Sequence, residues 1–215
     1  MEHYQGMSSI TLDEDFTLPE VPPGTIRLDL ACGQQKRKGF IGVDNSDNLK
    51  YDLVLDEDER PYSVNQLSGT TMLKWDLTQY PWPFEENSVF EANCSHYIEH
   101  VKDLESFMKE LYRVLTPLGI VTITAPYYTS VRSSQDYTHV RQLNEITMRY
   151  FNQTWLQVAC IDKVYPHGVD FESINTVFIY NQEWASRAEE AKMYALKHYW
   201  NVADDIMYVL RKIAK

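Results

Sequence analysis

No stretch of this 215-residue chain approaches the roughly 18–20 consecutive apolar residues that a membrane-spanning helix needs. The opening residues, MEHYQGMSSITLDEDF, hold neither a basic leader nor an apolar stretch, so neither the usual secretory route nor a membrane partner is expected. Basic charge is short as well: 20 Lys and Arg stand against 31 Asp and Glu, a formal net charge of −11. Such a balance disfavours nucleic acid as a partner, because tracking a phosphate backbone draws on surplus cations. Cysteine is scarce. Cys32, Cys94 and Cys160 lie far apart with no CxxC pair, which argues against a zinc ribbon or a disulfide framework and makes a reduced, cytoplasmic setting the expectation. What is present is ordinary for a globular domain, at 44% hydrophobic and 24% charged residues, with enough length for one core and a helical appendage.

Residues 1–24 are polar and acidic and end in the breaker cluster Pro22-Pro23-Gly24, so they read as an extension before a domain spanning 25–182. Residues 25–33 alternate Ile26, Leu28 and Leu30 and stop at Gly33: a buried strand entering a tight turn. Residues 40–44 form a second short strand ending on Asp44, and 71–77, 88–94 and 120–125 are further strands. Apolar positions 104, 107, 108, 111, 114 and 115 recur at helical spacing, which predicts a helix over 103–115 ended by Pro117-Leu118-Gly119. The acidic 52–70 segment reads as an inserted surface loop or short helix. Strands alternating with helices predict an α/β fold, Rossmann-like and doubly wound, with a mostly parallel sheet covered on both faces. Segments 155–164 and 174–180 predict an antiparallel C-terminal strand pair joined through Pro166-His167-Gly168. Over 183–212 there is no Gly or Pro, and the stripe Trp184, Ala188, Ala191, Ala195, Tyr199, Val202, Ile206, Val209, Ile213 advances by 3 or 4 each time. That pattern predicts one long amphipathic C-terminal helix within 183–215, about 45 Å at 1.5 Å per residue. It would pack along the domain's flank or serve a homo-oligomer.

A strand ending at Asp29-Leu30-Ala31-Cys32-Gly33, followed by one ending at Val43-Asp44, is the nucleoside-binding half of a doubly wound sheet. The first turn brings backbone close to a ligand, and the acid after the second strand can accept both ribose hydroxyls. Glycine is missing where a dinucleotide would need it. Gly33 is followed by Gln34-Gln35-Lys36-Arg37-Lys38, so the pyrophosphate of NAD finds no backbone cradle, and there is no GxxxxGK[ST] loop for a triphosphate. A cofactor with adenosine but no phosphate fits this turn better, and S-adenosylmethionine (SAM) is one.

Leu28-Asp29-Leu30-Ala31-Cys32-Gly33 and Gly39-Phe40-Ile41-Gly42-Val43-Asp44 resemble the first two motifs of class I SAM-dependent methyltransferases. Asp76-Leu77 with Pro81-Trp82-Pro83-Phe84 resembles the third-strand motif. Ser95-His96-Tyr97-Ile98-Glu99-His100-Val101 and Leu111-Tyr112-Arg113-Val114-Leu115-Thr116-Pro117-Leu118-Gly119 resemble the fourth and fifth motifs of the subgroup often called type 11. The resemblance covers roughly residues 25–151. It departs from the family's glycines at Ala31 and Leu118 and from its small residue at Gln35.

This resemblance implies SAM as cofactor. Asp29, Ala31, Cys32 and Gly33 would border its methionyl part, Asp44 with Asn45 would hold the ribose, Asp76 would accept from the adenine amine with Trp75 and Leu77 beside the ring, and Cys94 and Ser95 would flank the sulfonium. Plainer readings stand beside these: Gly33 as a turn glycine, Asp76 as a helix cap before Thr78, Asp29 as a buried acid satisfied by loop N–H groups.

Substrate-side candidates follow the fourth and fifth strands: His96, Tyr127, Tyr128, Asp136, Tyr137, His139 and Arg141. His96 and His139 are the candidate catalytic bases for an acceptor that must lose a proton. Residues 136–141 also resemble a D-x-T-H-x-R pattern of the subgroup, in which His139 would equally serve to fix a loop. His96 and His100 are four apart, but Glu99 is wrongly placed for an HExxH site and no third ligand is obvious, so no metal is expected. The leading expectation is methyl transfer to a small-molecule or saccharide-like acceptor in a pocket of Tyr127, Tyr128, Tyr137 and Tyr150. Arg132, Arg141 and Arg149 leave room for an anionic group on that acceptor. The alternative is a methyltransferase-like fold kept as a non-catalytic binding or scaffold module.

Overall fold

The architecture is that of a computed structural model, which describes residues 22–23, 25–55 and 67–214. Nearly all of the 1–24 extension and most of the 52–70 segment lie outside the described residues. Short runs rich in branched residues make eight strands: β1 (Ile26–Leu30), β2 (Ile41–Asp44), β3 (Leu53–Val54), β4 (Met72–Lys74), β5 (Val89–Ser95), β6 (Leu115–Pro126), β7 (Phe171–Tyr180) and β8 (Ala203–Lys212). They form one sheet in the order β3-β4-β2-β1-β5-β6-β8-β7. The pairings from β3 to β6 are all parallel, while β8 runs antiparallel to both β6 and β7. Strand order reverses at β1, with β2 on one side and β5 on the other. A crevice therefore opens outside the carboxyl ends of these strands, where open α/β sheets bind ligands.

The core sits on both faces of the central strands. Leu28 and Leu30 of β1 are fully buried, and every residue of β5 except Ser95 is buried. Helix α1 (Leu104–Val114) covers one face with Phe107, Met108, Leu111 and Val114, each fully buried and stabilising by about 1.5–3 kcal/mol relative to exposure. Its start is set by Asp103, whose side chain accepts from the Ser106 N–H at 3.0 Å. It ends where Leu115 turns extended and β6 begins directly. No helix among the described residues is long and apolar enough to cross a membrane.

Three expectations are corrected. The strands up to β5 follow one another without a helix among the described residues: the ten residues 31–40 between β1 and β2 are shorter than the dozen or more a helical crossover takes, and the fourteen residues 75–88 between β4 and β5 are taken up by turns. Segment 155–164 is not a strand. Beyond the short helix α2 (Val131–Gln135), Asn152 caps the helix α3 (Gln153–Val158) by accepting from the Trp155 N–H at 2.7 Å, and the antiparallel partner of β7 is β8.

The long C-terminal helix is also absent. Its span holds α4 (Glu189–His198) and then β8, which lies inside the sheet between β6 and β7. The chain turns at Asn201, whose φ of 58° is left-handed and whose side chain accepts from the Val131 N–H at 2.6 Å. The sheet accordingly continues to Lys212, and Ile206, Tyr208 and Leu210 are buried within it rather than offered to a second chain.

Candidate active site

The turn after β1 is built by two carboxylates. β1 leaves the sheet through Ala31 and Gly33, both in the left-handed region at φ 51° and 53°. Asp44, the last residue of β2, accepts from the Gly33 N–H at 2.8 Å and the Ser46 N–H at 2.9 Å. Asp29, 3% exposed, accepts from the Arg37 N–H at 2.7 Å and from Asn93 Nδ2 at 2.6 Å. A Cβ placed on Gly33 would meet nothing within 4 Å, so this backbone faces open space. Against the turn lies a cleft of about 370 Å³ whose lining includes Asp29, Ala31, Cys32, Asn93, Ser95 and His96.

Five residues named from the sequence therefore meet in one cleft, and β5 adds Asn93. The lining does not reach Asp44, Asn45, Trp75, Asp76 or Leu77, which follow along the same edge through the β2–β4 pairing of Asp44 with Lys74. Asp76 accepts from both the N–H and the hydroxyl of Thr78 through one carboxylate oxygen, which closes a turn; no helix follows it among the described residues, so it is not the helix cap expected. Trp75 and Leu77 are each 4% exposed, so their side chains belong to the core. Burial, with the Asp29 and Asp44 charges, pushes the Cys32 thiol up to about 12, which makes it a neutral wall of the cleft. Cys94 is fully buried in β5, and burial pushes its thiol up too.

At the other end of the cleft stands His96, just past β5, in a left-handed conformation at φ 52° that a non-glycine residue adopts only at a cost. Its Nδ1 lies 3.6 Å from Glu99 Oε1 and its Nε2 3.8 Å from Asp205 Oδ2. Asp205 comes from the start of β8, opposite Pro126 in the ladder, and accepts from Arg132 Nη1 at 2.7 Å. The Glu99 carboxylate holds the His96 imidazole above its ordinary value, and burial pushes the Asp205 carboxyl up against the pull of His96 and Arg132. Sequence reasoning missed Asn93, Asp205 and the role of Glu99. Asp205 gave no usable signal while its segment read as a helix.

His139 does not join the cleft lining. Its Nδ1 donates to the Ser133 carbonyl at 3.0 Å and its ring packs edge-on against His100, with centroids 4.7 Å apart. The D-x-T-H-x-R segment works as a loop lock: Asp136 accepts from the Thr138 N–H, and Arg141 donates to the carbonyls of Ile98, Val101 and Lys102. The expected tyrosine pocket does not assemble. Tyr127 is 1% exposed and donates to Glu145, Tyr137 is 97% exposed, and Tyr150 packs on Trp155 and Tyr165. Arg149 lines a separate cleft of about 310 Å³ against the first half of β7, toward the opposite edge of the sheet.

The residues present fit SAM. Asn93 Oδ1 is buried with no partner, an acceptor that the ammonium of a methionyl group would satisfy. Asp44 is only partly buried, and its carboxylate keeps lone pairs beyond its two backbone bonds for a diol.

Residues 23–123 match the family model described as a methyltransferase domain. Among solved structures, a SAM-dependent methyltransferase from Archaeoglobus fulgidus superposes with a TM-score of 0.51 at 17% identity, covering 88% of this chain and 87% of that one. The [4+2]-cyclase SpnF superposes with a TM-score of 0.50 at 14% identity, covering 89% of this chain and 76% of that one. At these identities the likeness is one of fold. No curated protein matches the sequence.

Proposed function

We propose that the protein, whose residues 23–123 match the methyltransferase-domain family model, is a class I, type 11-like SAM-dependent methyltransferase that methylates a hydroxyl on a small-molecule or saccharide-like acceptor. The carrying observation is His96, poised at the cleft between two buried carboxylates. Bound SAM supplies an electrophilic methyl group on a sulfonium. Asn93 and the Ala31–Gly33 backbone would hold its methionyl end, Asp44 would accept from its ribose, and Asp76 would accept from its adenine amine. His96 takes the hydroxyl proton as the acceptor oxygen is methylated, and Glu99 and Asp205 stabilise the imidazolium that results. Holding the acceptor in line, with water excluded, supplies most of the acceleration. The net charge of −11 supports an acceptor other than nucleic acid, and the free thiols of Cys32, Cys94 and Cys160 support a reducing cytoplasmic setting.

The test is a panel of hydroxylated small molecules and saccharides with methyl-labelled SAM. With the best acceptor, His96→Gln is expected to lower kcat by roughly 10²–10⁴-fold while S-adenosylhomocysteine affinity stays within about threefold of wild type. Unchanged turnover in His96→Gln, or label on nitrogen or carbon, would overturn the reading. One observation favours the second reading, a domain without methyl transfer: the fold is shared by SpnF, whose described activity is a cyclisation. Cofactor binding without transfer to any acceptor would favour it.

A further inference from the structure

We propose that Glu99, His100 and His139 form a binding site for a divalent transition-metal ion of the zinc class. A ring nitrogen of each histidine and a carboxylate oxygen of Glu99 all lie within 4.8 Å of one another. The protons can be assigned from the hydrogen bonds. His139 Nδ1 faces the Ser133 carbonyl at 3.0 Å, and a carbonyl only accepts, so Nδ1 carries the proton. His100 Nδ1 lies 2.9 Å from Thr138 Oγ1, whose single proton goes to Asp136 Oδ1 at 2.7 Å. Thr138 Oγ1 therefore accepts, and His100 Nδ1 is protonated as well. With Nδ1 carrying the proton, Nε2 is the nitrogen through which each ring would ligate.

Glu99 completes the set. It is 2% exposed, and its Oε2 is buried with no hydrogen-bond partner. Two imidazole lone pairs and the unpartnered Oε2 of a buried carboxylate, whose Oε1 alone faces His96, leave acceptors without donors, and a buried acceptor of this kind is costly unless a cation meets it. A metal ion answers all three groups at once. The outer contacts match as well, since ligating histidines characteristically donate their second ring N–H to an oxygen, as both do here. Nitrogen ligands select against magnesium and calcium, which prefer all-oxygen sites, and two histidines with one carboxylate suit zinc or its neighbours.

The frame is fixed before any ion arrives. Val140 N–H donates to the Glu99 carbonyl at 2.9 Å, and Arg141 binds three carbonyls of residues 98–102. An ion here would pin the segment carrying His139 to the turn after β5. The sequence had paired His100 with His96. The folded loop supplies His139 instead.

The test uses the full chain stripped with a chelator and titrated with Zn²⁺, Co²⁺ and Mg²⁺. The expected result is one Zn²⁺ per chain, a visible d–d band for the Co²⁺ form and no saturable Mg²⁺ binding. Glu99→Gln, His100→Gln and His139→Gln should each weaken Zn²⁺ by at least about tenfold, while His198→Gln, at an exposed helix end, should not. Glu99→Gln preserves side-chain shape, so it keeps the test informative if a histidine variant fails to fold. Absence of stoichiometric Zn²⁺ and Co²⁺ binding to wild type would overturn the proposal. So would affinity unchanged in all the ligand variants.

Discussion

At the residue scale, Asp44 joins two tasks in one carboxylate. It pins the Gly33 and Ser46 N–H groups, and in the proposed function it also accepts from the ribose of SAM. Asp44→Ala should weaken S-adenosylhomocysteine binding by at least about a hundredfold, two hydrogen bonds to a charged acceptor being worth roughly 1.5–3 kcal/mol each. Its cost in stability should be only about 1–2 kcal/mol, because water can reach the freed N–H groups of this partly buried turn. Isothermal titration and urea unfolding of the variant check the two parts separately. Asp29, Gly33 and Asp44 were legible because a strand ending on an acid or a glycine places that residue at the sheet's edge. Asn93 was not. It lies in a fully buried strand, and only the pairing of β5 with β1 brings it to Asp29. Glu99 likewise takes its meaning from His139, a residue that the loop folds back to meet it.

At the element scale, α1 and β8 mark where periodicity succeeds and fails. The helix was readable because its apolar stripe and the Pro117-Leu118-Gly119 breaker that follows it agree, and the structure adds the Asp103 cap. Hydrogen bonds from Ser106 hold the Asp103 carboxyl below its usual value. A carboxylate depressed by folding stabilises above its unfolded pKa, near 3.8, and loses that contribution as pH falls through the lower folded value. Asp103→Ala should therefore cost about 1 kcal/mol at pH 7, and the difference from wild type should shrink as unfolding is followed below pH 4.

In β8 the same 3-and-4 spacing was coincidental. The segment also carries Ile206, Tyr208 and Leu210 at every second position, and a slot between β6 and β7 offers ladder partners on both sides. Tertiary pairing overrode the helical stripe. Ile206, fully buried opposite Ala125 and Phe178, should cost about 2–5 kcal/mol when changed to Ala. On the flank of an exposed helix the loss would be a fraction of that, so denaturant unfolding separates the two placements.

At the scale of the whole molecule, a mostly parallel sheet that reverses order at β1 opens a crevice between the ends of β1 and β5. The antiparallel β8 carries Asp205 to the same edge from the other direction. The cofactor side of that crevice was largely readable from strand ends. The acceptor side was not, because it is assembled from β8 and from loops that meet only in the fold. This crevice is expected to take SAM and to reject a dinucleotide. Thermal unfolding with S-adenosylhomocysteine, and separately with NAD, tests it most directly. A ligand at 100 times its dissociation constant adds about 2.7 kcal/mol, which for a chain of this size should raise the midpoint by roughly 5–10 °C. That rise is expected with S-adenosylhomocysteine and none with NAD; a flat response to S-adenosylhomocysteine, or a rise with NAD, would mean that the crevice is not a SAM site.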